Sequence, residues 1–577
     1  MIFFKLIEGF VAAATAPGAD LPVSRKQING VEYTVFDAIP PSLASMFAMM
    51  QQHNELPFVV EDGSRHSFIS VYQRATKLAN AMVDQGINKG DRVAIFMRNR
   101  VEWVISFIAA SMAGAVVTPL NSWWGSNELD FVINDAGISM LIADPKRAHH
   151  VDSISNPPAD LIKIICCAAP DTFSNWLHMD ELEAAITTTT PPAIEILPED
   201  DACLMYTSGS TGTPKGAVST NRAVVSAVFG YALMGLALKF YKNGGKMVDD
   251  DGTQMSTLVP IPLFHVTGCV VIFLVSIIAA RKMVLMRKWD VQDAMKLIEE
   301  EKIISLTGVP TMTADLLNAP NREDFDLSSL TDLGAGGAAR PADQVKALED
   351  AFESASPLAG YGLTETNGIG SYIAGDAYLA HPSSIGKPAQ PLVEMEIRDP
   401  DGQIVPTGER GEICIKTICN IRGYWNQPEA TAQAITDGWL HTGDVGLFDE
   451  NGLLYIVDRI KDIIIRGGEN IATLEVESAI SSLDEVIECA VFGLPHERLG
   501  EEVATVICLA PNAQLNAEDI VERLRDKLAL YKIPSKIVIQ SERLPRIATG
   551  KIAKKDIKEA VLRGLSQSEQ SKALGSK

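Results

Sequence analysis

Ten consecutive residues, Thr207-Ser208-Gly209-Ser210-Thr211-Gly212-Thr213-Pro214-Lys215-Gly216, gather hydroxyl groups and three glycines around a single lysine. Glycine lets backbone N–H groups approach an anion closely, hydroxyls add donors, and the lysine adds charge. That composition suits a polyphosphate. A flexible Ser/Gly surface loop is the plain alternative, but it has no need of the Pro214-Lys215-Gly216 ending. Lys215 follows proline rather than glycine, so the stretch is not a Walker A loop. Nor does it contain the G-x-S-x-G elbow of a hydrolase.

Four more stretches carry chemistry. Gly334-Ala335-Gly336-Gly337-Ala338-Ala339 fits G-x-G-x-x-A before a helix. Alone it suggests a dinucleotide site, but a glycine-lined wall against a flat ring is at least as good a reading. In Gly360-Tyr361-Gly362-Leu363-Thr364-Glu365-Thr366, Tyr361 can stack on a base, Thr364 can bond a phosphate oxygen, and Glu365 offers the hard oxygen that Mg²⁺ takes alongside phosphates. A turn with a surface glutamate competes with that reading. In Gly438-Trp439-Leu440-His441-Thr442-Gly443-Asp444, the Asp444 carboxylate can accept both hydroxyls of a ribose, with Arg459 as a second sugar or phosphate contact. A structural ion pair is the plain alternative for both. In Leu544-Pro545-Arg546-Ile547-Ala548-Thr549-Gly550-Lys551, a Pro/Gly-bounded loop can present Lys551 at its tip, although most lysines are simply solvated.

The elements that must position these groups alternate. Arg92–Met97 reads as a buried strand, Val101–Ala115 as a helix closed by Gly114, Asn127–Ala136 as a helix and Ser139–Ala143 as a strand. Further on, Ile303–Leu306 reads as a strand and Ala342–Phe352 as a helix. Alternation of this kind implies an α/β fold with largely parallel sheets. Near residue 460 the pattern shifts. The strand Leu453–Val457 is followed by charged residues, then by helix, strand, strand and helix over Glu475–Ser482, Val486–Gly493, Glu502–Leu509 and Ala517–Leu528. That stretch has the size of a small α+β domain. After Gly564 the chain is rich in Ser, Gln and Lys and reads as disordered.

At 577 residues the chain needs at least two domains. Its net charge of −23 argues against nucleic acid, which requires clustered Lys and Arg, and against an anionic membrane surface. The eight cysteines form no CxxC pair and read as buried free thiols in a reducing, cytoplasmic compartment. Met1–Ala16 is apolar but is interrupted by Lys5 and Glu8. It is expected to form an ordinary N-terminal helix rather than a signal peptide, with contact to a lipid surface as an option. Cys269–Ala280 is too short to span a bilayer and is expected to be a core helix.

Together, in this order and spacing, the five stretches resemble the adenylate-forming superfamily of acyl-CoA synthetases, luciferase-like enzymes and peptide-synthetase adenylation domains. The resemblance runs from about residue 60 to 560 and is greatest to stand-alone acyl-CoA synthetases. It implies a large N-terminal domain (1–458) for ATP and acid, a hinge (459–461, with Lys461), a mobile C-terminal domain (462–564) and a tail (565–577). It also implies roles. Thr207, Ser208, Gly209, Ser210, Thr211, Gly212 and Lys215 would cradle the β- and γ-phosphates. Gly336, Gly337, Ala338, Tyr361 and Gly362 would surround adenine. Thr364 would bond the α-phosphate, Glu365 would hold Mg²⁺, and Asp444 and Arg459 would hold the ribose. Lys551 would bridge carboxylate and α-phosphate. Gly467-Gly468-Glu469 would serve the coenzyme A side after the small domain rotates. The Ala338-Ala339-Arg340 sequence departs from the Ala-Pro-Leu of many relatives.

His265, in Pro262-Leu263-Phe264-His265-Val266-Thr267-Gly268, matches a position that borders the acyl site and the thiol path. A hydrogen-bonded core histidine is the alternative. Gly268, Gly308, Val309, Pro310, Met312 and Gly360 are expected to line the acyl pocket. Such a lining suits a sizeable hydrophobic acid, with no evident cation to pair a second carboxylate. The expected activity is ATP-dependent formation of an acyl-CoA through an acyl-adenylate, on medium- or long-chain fatty acids, with a homodimer as an open option. Aryl-alkanoic or steroid side-chain acids, loading of a separate carrier protein, and a nucleotide-binding regulatory protein on the same fold are the competing readings.

Overall fold

The computed structural model describes every residue except 1, 170–171, 208–213, 248–251, 353, 512 and 575–577. Among the described residues the strands form five sheets. The first large sheet has eight strands, built around Arg92–Phe96, Val116–Pro119, Ile138–Ala143 and Asp201–Thr207, which run parallel. The second has nine. At its centre Ser256–Val259, Lys282–Leu285, Ser305–Gly308, Asp332–Gly336 and Ser356–Tyr361 are parallel. The α/β expectation is met, for the reason the sequence suggested. The run Val93–Phe96 is apolar at every position because a parallel strand covered by helices is buried on both faces.

The largest buried cluster joins both sheets with the helices Phe68–Asp84, Val101–Met112 and Asn221–Lys242. Element ends follow local chemistry. Gly114 and Gly137 take positive φ just after the helices ending at Met112 and Ala136. Asp144 caps Pro145–Asp152 by accepting from the Arg147 amide.

Several elements depart from the sequence reading. The stretch expected as a core helix from Cys269 is a π-helix, Thr267–Leu274, that continues as α-helix through Val275–Ile278. The strand expected at Ile303–Leu306 lies at Ser305–Gly308. The last helix, Lys554–Leu574, continues past Gly564 into the stretch read as a disordered tail. That stretch contains no proline, and good helix formers extend an existing helix cheaply once it is nucleated. The N-terminal helix Ile2–Ala14 spends its apolar face inside the protein. Phe3, Phe4, Ile7 and Val11 are buried, and Phe3 packs edge-on against Tyr241 and Tyr372. The helix Asn221–Lys242 is long and apolar enough to cross a bilayer by length and composition, but half of that stretch is buried within the protein.

Beyond Arg459 the chain forms a separate five-stranded sheet, of which Val486–His496 and Gly500–Leu509 are the longest strands. It has its own buried clusters, around Ile464, Val491 and Ile520 on one side and Phe492 and Leu544 on the other.

Candidate active site

A cleft of about 2480 Å³ opens between the large sheets and the C-terminal unit. The polyphosphate stretch enters it as a hairpin. Asp201–Thr207 pairs antiparallel with Lys215–Thr220, which sets Thr207 opposite Lys215 at the mouth of the connecting loop. Ser208, Gly209, Ser210, Thr211 and Gly212 lie outside the described residues. Gly216 is required by packing, since a Cβ there would stand 2.7 Å from Leu204 Cδ1. The Lys215 ammonium lies over the Tyr424 ring, 5.3 Å from its centroid. Tyr424 in turn donates from its hydroxyl to Glu365 Oε1 at 2.8 Å. Burial, then the Glu365 charge, pushes the Tyr424 phenol up, so it stays a donor. Tyr424 thus joins the phosphate-loop lysine to the expected metal carboxylate. Sequence reading missed it because nothing local to Gly423–Tyr424 marks it. The residue matters only because this short strand pairs with Lys215–Thr220.

Glu365 sits on the 3₁₀ turn Thr364–Thr366. The Ile421 amide donates to its carbonyl at 2.9 Å, and Asn367 ties the turn down through Ser219 and the Cys419 carbonyl. Gly362 is sterically obligatory, because a Cβ there would lie 1.8 Å from the Gly368 carbonyl oxygen. Glu365 Oε2 has no protein partner among the described residues. A carboxylate with one oxygen fixed and one open fits a hard divalent cation whose other ligands are phosphate oxygens and water.

The expected adenine wall forms where parallel strands end side by side. Gly336 pairs with Gly360, and Gly336, Gly337, Ala338, Tyr361, Gly362 and Thr364 all line the cleft. Tyr361 donates to Asp444 Oδ2 at 2.7 Å. Arg459 Nε sits 3.1 Å from the other oxygen of Asp444. Asp444 and Arg459 are direct partners across antiparallel strands, so tertiary pairing assembles the expected ribose contacts. Glu412, absent from the sequence reading, positions the turn before Asp444. It accepts from the Gly443 amide at 2.9 Å and faces His441 Nδ1 at 3.0 Å.

Lys551 arrives from the C-terminal unit. A Cβ on Gly337 would stand 3.0 Å from Lys551 Cε and 3.2 Å from Nζ, so the ammonium reaches the glycine wall itself. Burial, and then the Arg459 charge, lower its pKa to about 8, with Asp444 opposing. Buried Glu488 anchors the loop behind it, accepting from the Leu544 amide and from Arg546. Across the cleft, a Cβ on Gly550 would sit 3.1 Å from Val309 Cγ2, and Arg543 faces Asp315 at 3.4 Å.

His265 lines the cleft. Burial, and secondarily Lys551, drives its pKa down to about 3, so the ring is neutral at physiological pH. The segment leading to it is held by buried Asn99, which donates to the Val259, Ile261 and Met286 carbonyls and accepts from the Leu263 amide. Four bonds to one buried side chain are a positioning clamp that the sequence did not announce.

The acyl lining needs correction. Val309, Pro310 and Gly360 face the cleft. Gly268 instead lies behind the wall, where a Cβ would stand 2.2 Å from the Pro262 carbonyl oxygen; Gly308 is closed off by Met312, whose sulfur would lie 2.8 Å from a Cβ there. The smallness of Gly268 answers the Pro262 backbone, and that of Gly308 the Met312 side chain, rather than substrate. The cleft also contains a cation the sequence reading did not place, Arg281. Lys461 is exposed at the edge of the cleft, and Gly467, Gly468 and Glu469 are exposed on the hairpin between Ile464–Arg466 and Glu469–Ile471, outside the cleft lining.

The profile of the AMP-binding enzyme family matches residues 47–425. The chain belongs to the AMP-binding enzyme family. The C-terminal domain profile of the same family matches 475–551, the stretch that ends on Lys551. This AMP-binding enzyme is 33% identical over 497 residues to the long-chain-fatty-acid–CoA ligase FadD13 of Mycobacterium tuberculosis, covering 86% of this chain and 93% of that one. It is also 33% identical to a feruloyl-CoA synthase of an Amycolatopsis species, covering 86% and 94%. Among solved structures it resembles the o-succinylbenzoate CoA synthetase of Bacillus subtilis in complex with its acyl-adenylate intermediate, with a TM-score of 0.74, 27% identity, and 90% and 98% of the two chains covered.

Proposed function

We infer that this AMP-binding enzyme is an AMP-forming acid–thiol ligase that makes an acyl-CoA through an acyl-adenylate. The observation that carries the mechanism is Lys551, delivered by the C-terminal unit to the glycine wall that also presents Tyr361 and Asp444. A carboxylate is a poor electrophile because its leaving group would be oxide. In the first half-reaction its oxygen attacks the α-phosphorus of ATP, the bond from that phosphorus to the bridging oxygen breaks, and pyrophosphate leaves. The obstacle is an anion approaching a polyanion. Lys551 beside the α-phosphate and Lys215 beside the departing pyrophosphate offset that charge in a partly dried site. Mg²⁺ held by Glu365, when bound, spreads the remaining phosphate charge. Asp444, with Arg459 and Tyr361, holds the nucleoside so that the α-phosphorus stands in line. Neutral His265 forms part of the wall beside the acyl group and does not act as an acid at neutral pH.

In the second half-reaction the sulfur of coenzyme A attacks the acyl carbon and AMP leaves. We assign 1–458 to an N-terminal domain, 459–461 to a hinge and 462–564 to a mobile C-terminal domain. The present arrangement, with Lys551 inserted, is the adenylating one. Rotation about Lys461 withdraws Lys551 and brings Gly467-Gly468-Glu469 to the site, where glycines permit close passage of the pantetheine arm. The acid is a medium- or long-chain fatty acid; the volume of the cleft and the fatty-acid relative support this reading. The eight unpaired thiols fit a reducing cytoplasmic setting.

The test is an acid panel with ATP, Mg²⁺ and coenzyme A, reading AMP, thioester and pyrophosphate exchange. Lys551→Ala should slow adenylation by roughly 10²–10³-fold while sparing thioester formation from a supplied acyl-adenylate. Absence of acid-dependent pyrophosphate exchange with every acid would refute the reading.

A further inference from the structure

The cleft continues beyond His265 along the helix Asn221–Lys242. Tyr231, Met234 and Leu238, spaced as one helical face, line one side, and Thr307 and Leu358 of the nine-stranded sheet line the other. At the reacting end Tyr231 bonds the Gly368 carbonyl. At the far end Lys242 bonds the Thr331 carbonyl and Asp332 Oδ1, where the strand Asp332–Gly336 begins.

Arg281 lines this distal part. Its Nε donates to Ser276 Oγ at 2.9 Å, and its Nη2 donates to the Ile272 carbonyl at 2.9 Å and the Val271 carbonyl at 3.5 Å. All of these acceptors are neutral. Nη1 has no hydrogen-bond partner, and Arg281 has no ion pair, among the described residues. The acidic group whose field it feels, Asp332, is already held by Lys242 at 2.7 Å. Burial lowers the guanidinium to about 10, which leaves it charged at neutral pH. The side chain is deep in the protein yet keeps part of its surface accessible, and the cleft it lines provides that surface. A largely buried cation with no counter-charge among the described residues is costly unless something else completes it. The free edge of a guanidinium fork matches an oxygen acceptor.

We propose that Arg281 anchors the far end of the acid, so that the preferred substrates are hydrophobic acids carrying a second oxygen acceptor, a carboxylate or a ketone, remote from the reacting carboxyl. This rests on the acid-activating reading of the site and narrows it from plain fatty acids to end-functionalised ones. The Ile272 carbonyl that holds Arg281 lies seven residues along the chain from His265, roughly 10 Å at helical rise. The spacing therefore selects acids of medium length.

The experiment uses the full chain with ATP, Mg²⁺ and coenzyme A. It compares plain alkanoates with the dicarboxylic and oxo acids of the same length, from hexanoate to dodecanoate, reading kcat/KM for AMP formation. The wild type should favour the functionalised acids by roughly 10–100-fold, the range of a hydrogen bond to a charged group. Arg281→Gln can still donate to the helix carbonyls but removes the charge. It should abolish that preference while leaving plain alkanoates within about threefold, and Arg281→Lys should restore part of it. Thermal melting checks that each variant is folded. A response to dicarboxylic acids alone identifies a second carboxylate, and an equal response to oxo acids identifies a neutral oxygen. An equal loss for every acid in a folded Arg281→Gln protein would reduce Arg281 to a staple of the π-helix and overturn the proposal, as would a wild type without preference. If plain acids are adenylated, the general reading survives that failure; if no acid supports pyrophosphate exchange, both fall.

Discussion

Lys551 carries a charge that its surroundings make conditional. With its pKa lowered to about 8 by burial and by Arg459, the ammonium is protonated below that pH and lost above it. In the proposed role adenylation uses the protonated form, so kcat/KM for the first half-reaction should fall as pH rises through about 8. Bound ATP stabilises the cation and should move the corresponding limb of kcat to higher pH. Pyrophosphate-exchange kinetics across pH 6 to about 10 will check this, and identical limbs in both profiles would contradict it. His265, already neutral, should add no acidic limb. Tyr424 is a positioning residue that acts through Glu365. Tyr424→Phe should raise the Mg²⁺ concentration for half-maximal adenylation by roughly 10-fold or more without changing KM for the acid; an unaltered Mg²⁺ dependence would remove that role.

At the scale of elements, the site is built where strands end and turns cannot accept side chains. The Gly360–Gly370 turn folds back so tightly that Gly362 has no room for a Cβ. Gly362→Ala should cost about 1–3 kcal/mol or more through forced movement of that turn and should abolish adenylation. Gly9 provides the contrast. It lies in the helix Ile2–Ala14, where an added Cβ would meet nothing within 4 Å, so Gly9→Ala should stabilise by roughly 1 kcal/mol through helix propensity. Thermal or denaturant unfolding of both variants separates the effects. The π-helix Thr267–Leu274 shows the same dependence on surroundings. After Thr267 its sequence is apolar or glycine and carries no sign of π geometry, and Arg281, from beyond the helix, meets its carbonyls.

For the whole molecule, the decisive relation is between the C-terminal unit and the cleft. Glu488 holds the Lys551 loop, Arg543 faces Asp315, and Gly550 abuts Val309. Arg543–Asp315 and Gly550–Val309 lie across the cleft and would break in the proposed rotation between half-reactions, whereas Glu488 acts within the C-terminal unit. Lys461→Pro fixes φ and removes an amide donor at the proposed hinge. It should slow one half-reaction at least about 10-fold more than the other, measured by pyrophosphate exchange against single-turnover thioester formation. Equal slowing of both would argue against rotation about residue 461.

Much of the site was legible in the sequence because phosphate binding and charge neutralisation demand a few residue types in short runs. Lys215, Glu365, Asp444 and Lys551 stood out for that reason, and the alternation of apolar runs with helix signals marked the α/β fold. Residues that act through a partner distant in sequence were not legible. Tyr424 gains meaning only from Glu365, Asn99 from the carbonyls it clamps, and Glu488 from the loop it anchors. Gly268 and Gly308 were misread as pocket lining because a glycine's smallness does not say whether a substrate or a neighbouring part of the protein requires it. The sequence by itself determined the family chemistry, an acid activated on a polyphosphate. Tertiary structure alone decided what faces the far end of the cleft, where packing turned Arg281 inward and left one edge of its charge without a partner among the described residues.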